Sequence, residues 1–177
     1  MKKLMIVLAA VALAGATQAA TMTWSALNMG AKDVEAGWLV ALYDSSTTFD
    51  YNAAKSGTLA AWYSSAAYST GTQIRANQSG QNNPSGSAFS AGDSISMYAV
   101  IFNAATIADA TKYMVSDAQS ATVGSAGNNI TVAFGNMSAT TTANKFYGKT
   151  WQDVPEPTSG LLMLVGLGAL ALRRRKA

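Results

Sequence analysis

The sequence predicts one mainly β domain, an antiparallel β-sandwich or jelly roll with one or two short helices, and an apolar helical segment at each terminus. Several segments of strand length alternate between apolar and polar residues or are apolar throughout. Residues that favour turns separate these segments, and they show no β–α alternation. These observations together favour two packed sheets over a parallel α/β fold.

The first half of the domain opens with two predicted strands. In residues 21–26, Met22, Trp24 and Ala26 alternate with threonine and serine, which is the period of a strand. The run 38–43 is apolar throughout, which predicts a central strand buried on both faces.

One or two short helices are predicted after these strands. Asp50 can cap a first turn, and Gly57 can end a helix that begins there. Further residues follow helical spacing and predict a second short helix: Leu59, Trp62, Tyr63 and Ala66.

The second half contains one predicted loop and four predicted strands. The polar stretch 76–87 predicts an exposed loop because it offers too little apolar surface to bury. Residues 94–102 carry the strongest strand pattern of the chain, and residues 112–116 and 130–134 alternate clearly. Residues 145–151 predict the final strand.

The N-terminal residues 1–19 have the three parts of a secretory signal peptide. Lys2 and Lys3 are followed by an apolar run over residues 4–14, and then by small residues at Thr17 and Ala19. We expect signal peptidase to cut after Ala19, with Ala20 as the second choice. Residues 20–153 are then the exported β-rich domain.

The C-terminal residues 154–177 begin with a proline-containing strip. Its residues are Val154, Pro155, Glu156 and Pro157. Proline lacks an N–H donor and disfavours helix in the residue before it. The strip is therefore predicted to be extended and unpaired, which suits a protease cleft.

An apolar run and a basic end complete the tail. The run 160–172 has thirteen residues, so as a helix it spans about 20 Å of a hydrocarbon core of roughly 30 Å. Cations that follow it hold that end in the cytoplasm: Arg173, Arg174, Arg175 and Lys176. The run is short for a permanent anchor, so we expect transient membrane contact. A permanent C-terminal membrane helix and a nucleic-acid-binding tail are the alternatives, and the order of the parts disfavours both.

The three parts of this tail resemble the PEP-CTERM sorting signal. The resemblance implies export by the general secretory route and recognition by an exosortase, a membrane transpeptidase that cuts near the Pro-Glu-Pro strip. It also implies a destination at the cell surface or extracellular matrix of a Gram-negative bacterium. It covers only the tail, so it implies nothing about the body.

Loss of residues 1–19 and of the residues after Glu156 reverses the sign of the formal charge. The whole chain has a formal charge of +3, whereas residues 20–156 hold six cations and nine anions, a formal charge of −3. A nucleic-acid partner therefore loses its electrostatic basis.

The residue types present restrict the chemistry of the chain. It contains no histidine and no cysteine, which excludes Ser-His-Asp and Cys-His systems and thiolate metal sites. We predict no catalytic residue, metal site or cofactor, and a calcium site from scattered carboxylates is left open. Carboxylate pairs at Asp33 and Glu35, and at Asp44 and Asp50, are better explained as solvated turn residues.

Three classes of function fit the sequence. The favoured one is a non-enzymatic structural or adhesive protein. The second is a carbohydrate-binding module for extracellular polysaccharide, using the aromatic rings of Trp62, Tyr63 and Tyr68. The third is a small glycan hydrolase with two facing carboxylates.

Overall fold

The computed structural model of the 177-residue chain describes residues 22–80, 92–123 and 130–155. These ranges contain ten strands, one α-helix, α1 (Tyr51–Ser56), and one 3-10 turn (Met29–Lys32). The strands are β1 (Met22–Leu27), β2 (Leu39–Asp44), β3 (Tyr63–Ala66), β4 (Tyr68–Thr70), β5 (Gln73–Gly80), β6 (Ser94–Phe102), β7 (Lys112–Val115), β8 (Gln119–Thr122), β9 (Ile130–Asn136) and β10 (Gln152–Asp153).

The strands form two sheets, which confirms the mainly β prediction. One sheet has the order β4-β5-β1-β9, and the other has the order β10-β7-β6-β2-β3, with β8 also paired to β6. Pairing is antiparallel except between β1 and β9, which run parallel. The prediction of antiparallel pairing is therefore wrong for β1 and β9. Alternation of apolar and polar residues within a strand does not indicate the direction of its partner.

The first hydrophobic core contains residues from both sheets. Trp24 of β1 and Phe134 of β9 meet edge to face at a centroid distance of 6.4 Å, and both rings are fully buried. Leu42 of β2 and Ile101 of β6 belong to the same cluster. The two sheets thus share one buried layer.

The other face of the six-stranded sheet carries a second core. Tyr43 of β2 and Tyr98 of β6 stack at a centroid distance of 5.9 Å. Tyr51 and Ala54 of α1 are buried in the same cluster. The run 38–43 was predicted to be buried on both faces, and β2 confirms it, since alternate residues belong to the two cores.

The helix α1 has the caps expected from its sequence. The Asp50 carboxylate accepts a hydrogen bond of 2.7 Å from the backbone N–H of Ala53. Gly57 follows the helix with a φ of 80° and donates to the Ala54 carbonyl. Both caps satisfy backbone groups that a short helix leaves without internal partners.

The second predicted helix is wrong. Tyr63–Ala66 is the strand β3, which pairs along β2, and the Trp62 N–H donates to the Leu42 carbonyl at 2.7 Å. Pairing with an existing strand satisfies more backbone groups here than an isolated helical turn would. Ala67 is buried where the chain leaves β3 for β4, in the other sheet.

The predicted loop 76–87 is wrong for its first part. Residues up to Gly80 belong to β5, which pairs with β1 from Ala76 to Gly80. Ala76 is fully buried beneath this pairing, so a polar sequence is held as a strand by its neighbours. The rest of the predicted loop, residues 81–87, lies outside the described residues.

The predicted final strand 145–151 is also wrong. Residues 145–148 form turns, and pairing resumes only at β10. Phe146 is fully buried and the Lys145 N–H donates to the Phe134 carbonyl at 2.9 Å, so this segment covers the outer edge of β9. The strand β8 was missed because Gln119–Thr122 has little apolar character. Both predicted terminal helices lie outside the described residues.

Gly135, near the end of β9, allows the covering segment to approach. Its φ is +85°, and a Cβ placed on it would overlap the carbonyl oxygen of Ala143. We expect Gly135→Ala to lower the free energy of unfolding by about 2–4 kcal/mol, because strain and clash add. Urea denaturation of the purified protein measures this loss.

Gly148→Ala is the matched control. Gly148 has a φ of +72° but no atom within 4 Å of the added Cβ. Its substitution should cost only the conformational strain, about 1–2 kcal/mol. Equal losses in the two variants would contradict the close approach at Gly135.

Two tyrosine hydroxyls of the second core have opposite environments. The Tyr51 hydroxyl donates to the Ile107 carbonyl at 2.5 Å, whereas the buried Tyr43 hydroxyl has no partner among the described residues. Tyr51→Phe should lower the free energy of unfolding by about 1 kcal/mol, and Tyr43→Phe should leave it unchanged or raise it. Thermal or urea unfolding of the two variants compares them, and the reverse order would contradict this assignment.

The stacked pair also predicts a loss of stability at high pH. Burial raises the pKa of Tyr43 to about 12, and the neighbouring Tyr98 adds to the shift. The unfolded chain releases this proton near pH 10, so folding free energy is retained below about pH 10 and lost between about pH 10 and 12. Urea midpoints measured across this range should fall, and less steeply in Tyr43→Phe. An equally steep fall in that variant would contradict the prediction.

Candidate functional site

The acidic residues considered for catalysis are engaged in local structure. The Asp44 carboxylate accepts from the Ser46 N–H at 2.8 Å, and Asp50 caps α1. Asp33 and Glu35 lie exposed in the loop that precedes β2, where Asp33 has a left-handed φ of 59°. This arrangement fits turn residues at these four positions, while two other carboxylates, Asp109 and Asp153, line the cleft described below.

The three aromatic residues considered for carbohydrate stacking do not share one sheet. Trp62 and Tyr63 are partly buried against the first core, beside or within β3. Tyr68 lies in β4, which belongs to the other sheet, and is 38% exposed. The three rings therefore lie on elements of two different sheets, and Tyr68 is the most exposed of them.

The described part of the chain bears on metal binding and membrane insertion as well. Within residues 22–80, 92–123 and 130–155, no group of three or more acidic residues could hold a metal ion. None of the helices in those ranges is long and apolar enough to cross a bilayer. The apolar run 160–172, the membrane-stop residues Arg173 to Lys176 and the signal cleavage residues Ala19 and Ala20 lie outside the described residues.

The remaining candidate is the point where the C-terminal tail leaves the domain. Trp151 packs against the first core, and its ring meets Trp38 edge to face at a centroid distance of 5.6 Å. The indole N–H of Trp151 donates to the Lys32 carbonyl at 3.1 Å. The chain is thus fixed three residues before the proline-containing strip.

The next residues pair with the edge of the six-stranded sheet. Gln152 and Asp153 form β10, antiparallel to Tyr113 and Lys112 of β7. The Val154 N–H continues the ladder by donating to the Thr111 carbonyl at 2.9 Å. The predicted strip 154–157 was expected to be unpaired, and this is wrong for Val154, since the ladder runs one residue into it.

The residues on either side of this short strand pack on opposite faces of the sheet. Successive side chains of a strand point to opposite faces, so residues 151 and 154 lie on different sides. Trp151 accordingly packs on the first core and Val154 on the second. The attachment therefore depends on one apolar side chain per face together with the backbone bonds between them.

A cleft of ≈ 490 Å³ lies where the tail leaves the domain. Its lining includes Tyr51 and Lys55 of α1, Asp109 and Thr111 of the loop before β7, and Pro155. Burial raises the pKa of Tyr51, and Asp109 adds to the shift. The Tyr51 hydroxyl already donates to the Ile107 carbonyl, so it is not free to donate to a molecule in the cleft.

Sequence reasoning located the tail but missed its attachment. Two residues cannot show a strand period, so β10 gave no pattern of its own. A weak signal was present in Trp151, since tryptophan is highly buried on average, and here it stands beside the polar residues Gln152 and Asp153.

The comparisons with known proteins identify the tail. The family model of the PEP-CTERM protein-sorting motif matches residues 153–176, which confirms the resemblance seen in the sequence. No curated protein and no solved structure matches the chain. The C-terminal tail is a PEP-CTERM protein-sorting motif, which implies an exported protein whose membrane-held precursor is processed by an exosortase.

Proposed function

We propose that this protein is a non-enzymatic structural or adhesive component of the cell surface or extracellular matrix of a Gram-negative bacterium. The observation that carries the proposal is the sorting motif at residues 153–176, joined directly to a folded β domain. The domain is the cargo, and the motif determines where it is delivered.

The chemistry of the domain supports a role without catalysis. The chain has no histidine and no cysteine to act as base or nucleophile. Asp44 and Asp50 accept hydrogen bonds from nearby backbone, which uses them as structural residues. The formal charge of −3 over residues 20–156 suits a soluble surface module and disfavours nucleic acid.

Maturation proceeds in two cuts in this proposal. Signal peptidase removes residues 1–19 during export and leaves Ala20 at the N-terminus. The run 160–172 then holds the precursor in the membrane while Arg173 to Lys176 stay in the cytoplasm. An exosortase cuts near Pro155, Glu156 and Pro157 and transfers the domain outward.

Substitution of the proline-containing strip tests this pathway. Replacing residues 155–157 by three alanines should leave export intact and trap an uncut, membrane-bound precursor, because the recognised strip is lost while the apolar run remains. Cell fractionation and intact mass of the chain measure the outcome. The double variant Thr158→Ala/Ser159→Ala is the control and should be processed normally.

The basic end should act at a different step. Neutral residues in place of Arg173 to Lys176 should impair retention in the membrane before cutting, since nothing then fixes the depth of the apolar run. Mature protein that still carries Leu161 to Lys176 by mass spectrometry would contradict the pathway and favour a permanent anchor.

A further inference from the structure

Residues 152–154 form a strap that holds the start of the sorting motif against the domain. The strap lies between Trp151, which packs against the first core, and Pro155, which lines the cleft. Its backbone is paired to β7, and the Val154 side chain packs on the second core. The family match begins at Asp153, so two residues of the strap belong to the motif itself.

This arrangement occupies the backbone of Asp153 and Val154, the first two residues of the motif, which directly precede the strip expected to be cut. A protein that binds an extended peptide forms hydrogen bonds with its backbone. It also encloses the side chains of the peptide in a concave site. One edge of the strap is already used by β7, and the Val154 side chain is turned toward the second core. A strand attached to a sheet in this way cannot enter a narrow cleft as a free chain.

We propose that the strap must separate from β7 before the exosortase can cut, so that the folded domain controls access to its own sorting motif. The inference rests on the proposed function, because it concerns the same cut. It adds that the rate of cutting depends on the fraction of molecules in which the strap is released.

The strap can separate from β7 without unfolding of the rest of the domain. The strap is at the edge of its sheet, and the side chains of Gln152 and Asp153 are exposed. Asp153 contacts Lys112 at 3.9 Å in an exposed ion pair. Because exposed ion pairs are weak, this one adds little to the stability of the strap's attachment. Trp151 stays fixed behind the strap and serves as the hinge, and the rest of the sheet keeps its pairing. Short segments at the edge of a fold open far more often than the whole fold.

A disulfide across the strap can prevent release without altering the cleaved strip. The hydrogen bond from Val154 to Thr111 makes those two residues a hydrogen-bonded pair, so the next pair, Asp153 and Lys112, is a non-hydrogen-bonded one. Such pairs have Cα atoms about 4.5 Å apart, within the roughly 4.4–6.8 Å that a disulfide spans. The chain has no cysteine, so Lys112→Cys/Asp153→Cys introduces one defined bond in an oxidising compartment.

The experiment follows the full-length chain by pulse labelling in cells that contain the exosortase. The oxidised double variant should be cut at least about tenfold more slowly than wild type, because the released fraction limits the rate. Both single variants should be cut at the wild-type rate, and a thiol reductant should restore the double variant to that rate. The Asp153→Cys variant also controls for a change within the motif.

Two results would contradict the proposal that the strap must be released before cutting. Cutting of the oxidised double variant at the wild-type rate would show that release is not required. A block that reduction does not relieve would show that the substitutions, and not the crosslink, are its cause. If the wild-type chain stays uncut in these cells, the proposed sorting is wrong. The proposal about release of the strap is then wrong as well.

Discussion

Burial of β6 on both faces is the constraint on which the other layers depend. Met97, Ala99 and Ile101 point into the core between the sheets, and Tyr98 and Val100 point into the core beneath α1. The same strand pairs with β2, β7 and β8. The sheet partners and both apolar layers therefore depend on one nine-residue strand. Without disulfides, this packing and the backbone ladders hold the described fold together.

The sequence allowed the strongly apolar elements to be predicted, and the weakly apolar ones were missed or misassigned. β2, β6 and α1 have clear local signals in their apolar runs or caps, and they lie where these signals place them. β5 and β8 are polar strands that exist because a neighbour offers hydrogen bonds. The parallel partnership of β1 and β9 joins residues more than a hundred positions apart, which no local pattern encodes.

The candidate site was likewise predictable from the sequence only in part. The order of a proline-containing strip, a short apolar run and a basic end is local, so the sorting motif could be identified from the sequence. Its attachment to the domain depends on contacts between distant residues, such as the indole N–H of Trp151 and the Lys32 carbonyl. The sequence therefore predicted what the tail is, and the structure was needed to see that the domain holds its first residues.

The edge position of β10 has a mechanical consequence. A pull on the C-terminal end would peel this strand from β7 one hydrogen bond at a time, so the first step needs little force. The load would then reach Trp151, whose ring lies against Trp38 and whose N–H is bonded to the Lys32 carbonyl. At the other end β1 is bonded to neighbours on both sides along most of its length, so a pull there would load many bonds together. Under tension the domain would extend first by these few residues, and Val154 would leave the second core while the first core stays closed.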